Sequence, residues 1–220
     1  PKIKKAAIMP ISQNANSKNA DELTKMQKKT VRLVYISALL PAIIISVLYM
    51  FNKIPDWVIV VFLISFLLCA LGWEIWFTYG LVGGQNVGDR RPEALNRAIP
   101  QNINWLLNSL GDSVSICSVG LLLVWFFYDF DTIPFESWRW GAFVILFIWF
   151  VGQNIYVELI VYHDQLNDNE TSLSWAPLSP AGPWWNPTLF KIGGKSVKFQ
   201  TQIPWILILP QIHLIFSKLI

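Results

Sequence analysis

Five long apolar stretches divide the chain, and each approaches the roughly 20 residues that a helix needs to cross a bilayer. The pattern predicts an all-α membrane protein, a single bundle of five transmembrane helices over residues 31–220. The predicted spans are about 31–51, 56–80, 103–128, 138–162 and 203–220. The last stretch is short and contains two prolines and His213, so a buried or interfacial helix is the alternative for it.

Two polar segments complete the predicted architecture. Residues 1–30 are rich in lysine, asparagine and serine and are expected to lie flexibly on the cytoplasmic surface. The connection 166–202 begins with a proline-rich run containing Trp175, Trp184 and Trp185. It continues through Gly193-Gly194, which is a two-residue hairpin signal. We therefore expect this loop to form a cytoplasmic cap that contains a β-hairpin and covers the inner mouth of the bundle.

The basic residues predict the orientation of the bundle. Of the 17 lysines and arginines, 14 precede or begin the first span or fall in the second-to-third and fourth-to-fifth connections. Cytoplasmic loops carry this excess, so the N-terminus is expected in the cytoplasm, in a bacterial inner membrane or the endoplasmic reticulum. Topology then accounts for the net charge of +3, and nucleic-acid binding is not expected.

A polar stripe marks the third stretch as the candidate centre of function. Asn104, Asn108, Asp112 and Ser115 are spaced four, four and three residues apart, which places them on one helix face. An ionisable residue at membrane depth faces a partner or a cavity by default. Hydrogen bonding between helices is the alternative explanation, and it accounts for serine better than for a carboxylate.

The second and fourth stretches each carry one acid near the same end, Glu74 and Glu158. We expect the three acids to meet in the half of the bundle nearest the cytoplasm, beside asparagine and aromatic side chains. The predicted catalytic residues are Glu74, Asp112 and Glu158. The predicted substrate-binding residues are Trp73, Trp76, Asn104, Trp105, Asn108, Asn154 and Tyr156.

Other interpretations of single residues stay open. Glu74 has a structural alternative, an ion pair with Arg90 or Arg91. His163 near Glu158 and Asp164 lacks a fixed ligand spacing, so no metal site is predicted. Cys69 and Cys117 lie within predicted spans and are expected to act as small buried hydrophobes. No cofactor is implied.

The chemistry of such a site follows from its charges. Three carboxyl groups in a low-dielectric region cannot all ionise comfortably, so some are expected to hold a proton. A protonated acid beside a carboxylate is suited to general acid–base catalysis. Aromatic faces stabilise positive charge. Together these features predict carbocation chemistry on an apolar isoprenoid or sterol-like lipid.

The order of features resembles the emopamil-binding (EXPERA) sterol isomerase group. The shared pieces are Glu74 with Trp76-Phe77, Gly111-Asp112 with Cys117, and Val151-Gly152-Gln153 with Tyr156. That family has a histidine one turn before the acid of span two and a glutamate in span three. Ala70 and Val119 stand at those positions in this chain, so the family's isomerase chemistry does not carry over intact.

A second resemblance is to small integral-membrane terpene cyclases. It rests on the pair Trp73-Glu74 near the end of the second span and on a second acid elsewhere. Both resemblances imply protonation of an olefin or epoxide in an apolar pocket, by an isomerase or a cyclase.

Two other classes of function fit the same residues. A non-catalytic lipid-binding protein would use the same pocket and tolerate loss of any one acid. An accessory subunit of a larger membrane complex would use its tryptophans as contact surface, and its acids would pair with basic groups of a neighbour.

Overall fold

The computed structural model of this chain describes residues 22–81, 86–89, 91, 93–162 and 187–219. It is mostly helical. The elements are α1 (Lys25–Met50), α2 (Asp56–Cys69), π1 (Ala70–Glu74), α3 (Ile75–Tyr79), α4 (Glu93–Ala98), α5 (Gln101–Gly111), π2 (Asp112–Ser118), α6 (Val119–Phe127), α7 (Ile133–Glu136), α8 (Trp140–Tyr156), π3 (Val157–Tyr162), β1 (Thr188–Ile192), β2 (Lys195–Lys198) and α9 (Phe199–Leu219). The labels π1 to π3 denote π-helical segments.

Four helices are long and apolar enough to cross a membrane, at Gln27–Met50, Asp56–Tyr79, Gln101–Phe127 and Trp140–Leu159. They correspond to the first four predicted spans. The fifth predicted span, 203–220, lies in α9, which is 21 residues long but is not among the four. Its composition explains the difference, because Pro204, Pro210 and several glutamines lower its hydropathy.

The first helix begins earlier than its apolar stretch predicts. The Thr24 side chain accepts a hydrogen bond from the Gln27 backbone, and the Gln27 side chain accepts one from the Thr24 backbone. This capping box starts α1 at Lys25. The helix therefore takes in residues 25–30 of the segment that was expected to be flexible, while residues 1–21 lie outside the described part.

Pro41 interrupts the hydrogen bonding of α1. Proline has no N–H, so the carbonyl of Ser37, four residues earlier, loses its usual helical donor. The hydroxyl of Ser115 in π2 donates to that carbonyl over 3.1 Å. The polar stripe of the third span thus helps to join this span to α1.

The main hydrophobic core lies between spans two, three and four and α9. It contains Cys69, Cys117, Leu121, Phe150 and Trp205, all less than a tenth exposed. A smaller cluster joins α1 to α5 through Val34, Ala38, Ile99 and Leu107. Because α9 packs along α8, it is part of the bundle and contributes Trp205 to the core.

The β-hairpin of the cap forms as the sequence predicts. Strands β1 and β2 pair antiparallel, with Ile192 opposite Lys195. Gly193 and Gly194 form the turn with φ of 56° and 80°, a left-handed conformation that favours glycine. The tryptophan-rich first half of the cap loop lies outside the described residues.

Gly120 lies where α6 packs tightly against α8, so it offers a test of this packing. A Cβ at this position would lie 2.8 Å from Cε1 of Phe150 and 3.0 Å from Cδ2 of Leu146. We expect Gly120→Ala to lower the free energy of unfolding by about 1–3 kcal/mol through overpacking. The matched control is Gly152→Ala on α8, where a Cβ meets nothing within 4 Å. Thermal loss of the monodisperse gel-filtration peak measures both, and equal midpoints would contradict the packing.

Candidate functional site: a cavity beside Asp112

All three predicted catalytic acids lie in π-helical segments. Glu74 is the last residue of π1, Asp112 is the first of π2, and Glu158 is the second of π3. A π segment inserts an extra residue into the helical turn and frequently marks a functional site. The sequence contains no signal for this, since the apolar pattern is nearly the same with or without the insertion.

Asp112 lines a cavity of about 350 Å³ between α1, the third span, the fourth span and α9. We call it the Asp112 cavity. Its polar lining consists of carboxamides, a phenol, two serines and the Asp112 carboxyl group, and Trp149 and Trp205 form aromatic walls. The lining includes four of the predicted site residues: Asn108, Asp112, Asn154 and Tyr156.

Trp73 fixes one oxygen of the Asp112 carboxyl group. Its indole Nε1 donates a hydrogen bond to Asp112 Oδ2 over 3.0 Å. The Trp73 ring is buried and meets Trp205 edge to face at 5.2 Å between ring centroids. No described residue donates a hydrogen bond to the other oxygen, Oδ1. Trp73 therefore orients the carboxyl group at the cavity wall.

Glu74 is buried near the same group of residues, at 5% exposure, but it is not among the residues that line the Asp112 cavity. Cys69 and Cys117 are buried free thiols, and the carboxyl groups of Asp112 and Glu74 both contribute to the electrostatic environment of Cys69. Glu74 and Asp112 thus share one buried neighbour, the Cys69 thiol.

Glu158 has a complete set of protein partners. Its Oε1 accepts a hydrogen bond from the Lys198 backbone at 2.9 Å. Its Oε2 accepts from the Thr201 hydroxyl at 2.7 Å and from Gln202 Nε2 at 3.0 Å. A carboxylate at a helix N-terminus is stabilised by the unpaired N–H groups there. Glu158 joins the fourth span to β2 and to the first turn of α9, and it lies outside the cavity lining.

Three other predicted binding residues lie away from the cavity. The Trp105 indole donates to the carbonyl of Ala70 over 2.9 Å, and so supports π1. Asn104 accepts from Arg91 at 2.9 Å and donates to the Thr78 hydroxyl at 3.3 Å. Trp76 is 39% exposed on the surface of the bundle.

Arg91 belongs to the connection between the second and third spans, and its side chain is buried. Besides Asn104, its guanidinium donates to Asn96 Oδ1 at 2.7 Å and to the carbonyl of Ile99. These contacts hold the connection against the N-terminal end of the third span. In the polar stripe, Asn104 therefore serves packing, whereas Asn108, Asp112 and Ser115 line the cavity.

Among the lining residues that were not predicted as site residues are Trp149, Gln153 and Trp205. Gln153 directly precedes the predicted Asn154, so its position at the polar end of span four was a usable signal. Trp205 comes from α9, and only the packing of α9 against α8 brings it to the site. No signal in the sequence indicates that contact.

Within the described ranges, no group of three or more histidine, cysteine or acidic side chains is arranged to hold a metal ion. His163 and Asp164 lie outside those ranges. No protein-family model, no curated protein and no solved structure matches this chain.

Proposed function

We propose that this protein is a membrane-embedded isomerase or cyclase that protonates an apolar isoprenoid or sterol-like lipid. The observation that carries the proposal is the Asp112 carboxyl group, which lies at the wall of an aromatic cavity with one oxygen held by Trp73. The second oxygen is the group that would deliver the proton. Glu74 and Glu158 are not part of this step, because neither lines the cavity.

The mechanism requires that Asp112 carry a proton when the lipid binds. Transfer of that proton from Oδ1 to a carbon–carbon double bond forms a new C–H bond and leaves a carbocation. Trp149, Trp205 and Tyr156 line the cavity, and aromatic rings stabilise positive charge. The Trp73 N–H stabilises the carboxylate that remains. Loss of a proton from a neighbouring carbon back to Asp112 then restores the acid and completes the isomerisation or cyclisation.

A deuterium experiment tests this function and works on a mixture of lipids, so the substrate need not be identified first. Purified protein in nanodiscs is incubated with a membrane lipid extract in D₂O, and the lipids are then compared by mass spectrometry. Because the acid exchanges its proton with solvent, we expect a lipid that gains deuterium in place of hydrogen only when protein is present. If lipid co-purifies and no lipid gains deuterium, the protein binds lipid without catalysis. If no lipid co-purifies and partner chains do, the subunit function replaces this proposal.

We further propose that α9 crosses the membrane as a fifth span, with the N-terminus in the cytoplasm. A helix of this length extends about 30 Å, which matches the hydrocarbon core. The asymmetry of the basic residues supports the orientation. A cysteine introduced at Asp131 should react with an impermeant reagent added outside, and one at Lys195 should not. The reverse pattern would contradict the topology.

A further inference from the structure

Asn108 presents an uncommitted carboxamide to the Asp112 cavity. Its side chain is 7% exposed and lines the cavity. Within the described part of the chain, no group donates to its Oδ1 or accepts from its Nδ2. Neither amide atom is among the described side-chain atoms that are fully buried without a partner, so both open onto the cavity, where a polar group can pair with them. The amide is therefore a group that a ligand would satisfy.

The cavity lining presents both hydrogen-bond acceptors and donors, because three carboxamides and the Tyr156 hydroxyl line it. Asn154 uses its Nδ2 to donate to the Thr201 carbonyl at 2.8 Å, and Gln153 uses its Nε2 to donate to the Phe150 carbonyl at 2.9 Å. Their carboxamide oxygens accept no hydrogen bond from a described residue and are therefore open to a donor group of a ligand. A ligand group that donates a hydrogen bond as well as accepting one matches this lining better than a group that only accepts.

The charges of the lining exclude an anionic ligand group. Neither lysine nor arginine is among the described residues that line the cavity, and its one carboxylic acid is Asp112. A phosphate or diphosphate would enter beside a carboxyl group with no cation to offset its charge, and burying such a group is costly.

We propose that the Asp112 cavity selects an uncharged lipid alcohol. Its hydroxyl group accepts a hydrogen bond from Asn108 Nδ2 and donates one to a carboxamide oxygen of the lining. This inference rests on the proposed function in one respect only, namely that the bound alcohol is the substrate of the reaction. Asn108 precedes Asp112 by four residues on the same helix face, at a Cβ separation of roughly 5–6 Å. A double bond near the hydroxyl end of the lipid therefore lies within reach of the acid.

The test is a competition experiment on the whole protein in nanodiscs. A photoreactive C20 prenyl alcohol carrying a diazirine labels the protein, and four unlabelled lipids compete: the same C20 alcohol, its methyl ether, the hydrocarbon without oxygen, and the diphosphate. We expect the alcohol to halve labelling at a concentration about ten times lower than the hydrocarbon needs. A tenfold difference in affinity corresponds to one or two net hydrogen bonds. The methyl ether, which cannot donate, should lie between them, and the diphosphate should be weakest.

Asn108→Leu keeps the approximate size of the side chain and removes its hydrogen bonding, so the alcohol and the hydrocarbon should then compete equally. The matched control is Gln211→Leu, which removes an exposed amide on α9 and should leave the preference unchanged. If the hydrocarbon or the diphosphate competes as well as the alcohol in the unaltered protein, or if the alcohol does not displace the probe, the proposal is overturned even where the variant fails to fold.

The outcome is distinguishable from that of the proposed function, because binding needs no turnover. An alcohol preference without deuterium uptake would remove the catalytic proposal and leave this one standing. Deuterium uptake into an oxygen-free lipid, without an alcohol preference, would support the catalytic proposal and reject the alcohol preference.

Discussion

Asp112→Asn is expected to slow deuterium incorporation into the lipid product by about 10²–10⁴-fold, the usual contribution of a positioned acid–base group. Asparagine keeps the size of the side chain, and its Oδ1 can still accept the hydrogen bond from the Trp73 indole. The cavity should therefore still hold lipid, and only the transferable proton is lost. The measurement is the initial rate of deuterium uptake, with the amount of co-purified lipid determined in the same preparation.

Glu74→Gln is the matched control for that substitution. Glu74 is also a buried acid near Cys69, but it does not line the cavity. We expect this variant to retain most of the turnover. Loss of turnover in Glu74→Gln together with normal turnover in Asp112→Asn would assign the proton to Glu74 and reject Asp112 as the donor.

Glu158→Ala is expected to produce the largest loss of stability among the three acids, about 3 kcal/mol in the free energy of unfolding. The substitution removes the acceptor for the Lys198 backbone, the Thr201 hydroxyl and the Gln202 amide. Buried donors without an acceptor cost roughly 1–3 kcal/mol each. The Thr201 hydroxyl keeps the Lys198 carbonyl as an acceptor at 2.7 Å, so the loss comes from the Lys198 N–H and the Gln202 amide. A lower midpoint of thermal unfolding measures the effect.

An exposed acid supplies the comparison for Glu158. Glu136 on α7 accepts one hydrogen bond, from the Thr132 hydroxyl at 3.2 Å, and is exposed to solvent. Glu136→Ala should change the stability by no more than about 0.5 kcal/mol. If Glu158→Ala leaves the midpoint unchanged and lowers turnover as strongly as Asp112→Asn, Glu158 is a catalytic acid and the assignment of a structural role to it is rejected.

Much of the fold could be predicted from local patterns. The first four spans follow from the length of their apolar runs, and the hairpin follows from Gly193-Gly194, whose positive φ values few other residues adopt. The start of α1 was missed because a capping box operates on two polar residues, Thr24 and Gln27, ahead of the apolar run. The predicted fifth span forms α9, which packs against α8 but is not among the four helices apolar enough to cross a membrane.

The site could be predicted only in part, for a physical reason. Helical spacing correctly places Asn108 and Asp112 on one face of the third span, and both line the cavity. Spacing cannot show which polar side chains are already satisfied. Asn104 and Glu158 look equivalent to Asn108 and Asp112 in the sequence, yet they bind Arg91 and the start of α9. Those partners come from distant parts of the chain and appear only after folding.

The location of a bound lipid tests most directly whether Asp112 acts on a lipid. After irradiation with the photoreactive C20 prenyl alcohol, peptide mass spectrometry should find adducts on the residues around Asn108, Gly111 and Tyr156, which line the Asp112 cavity. Excess unlabelled alcohol should suppress these adducts. A different apolar cavity of about 410 Å³, lined by Ile44, Trp57 and Trp125, lies between α1, α2 and α6 and serves as the internal comparison. Displaceable adducts confined to that second cavity would contradict a role for Asp112 in lipid chemistry.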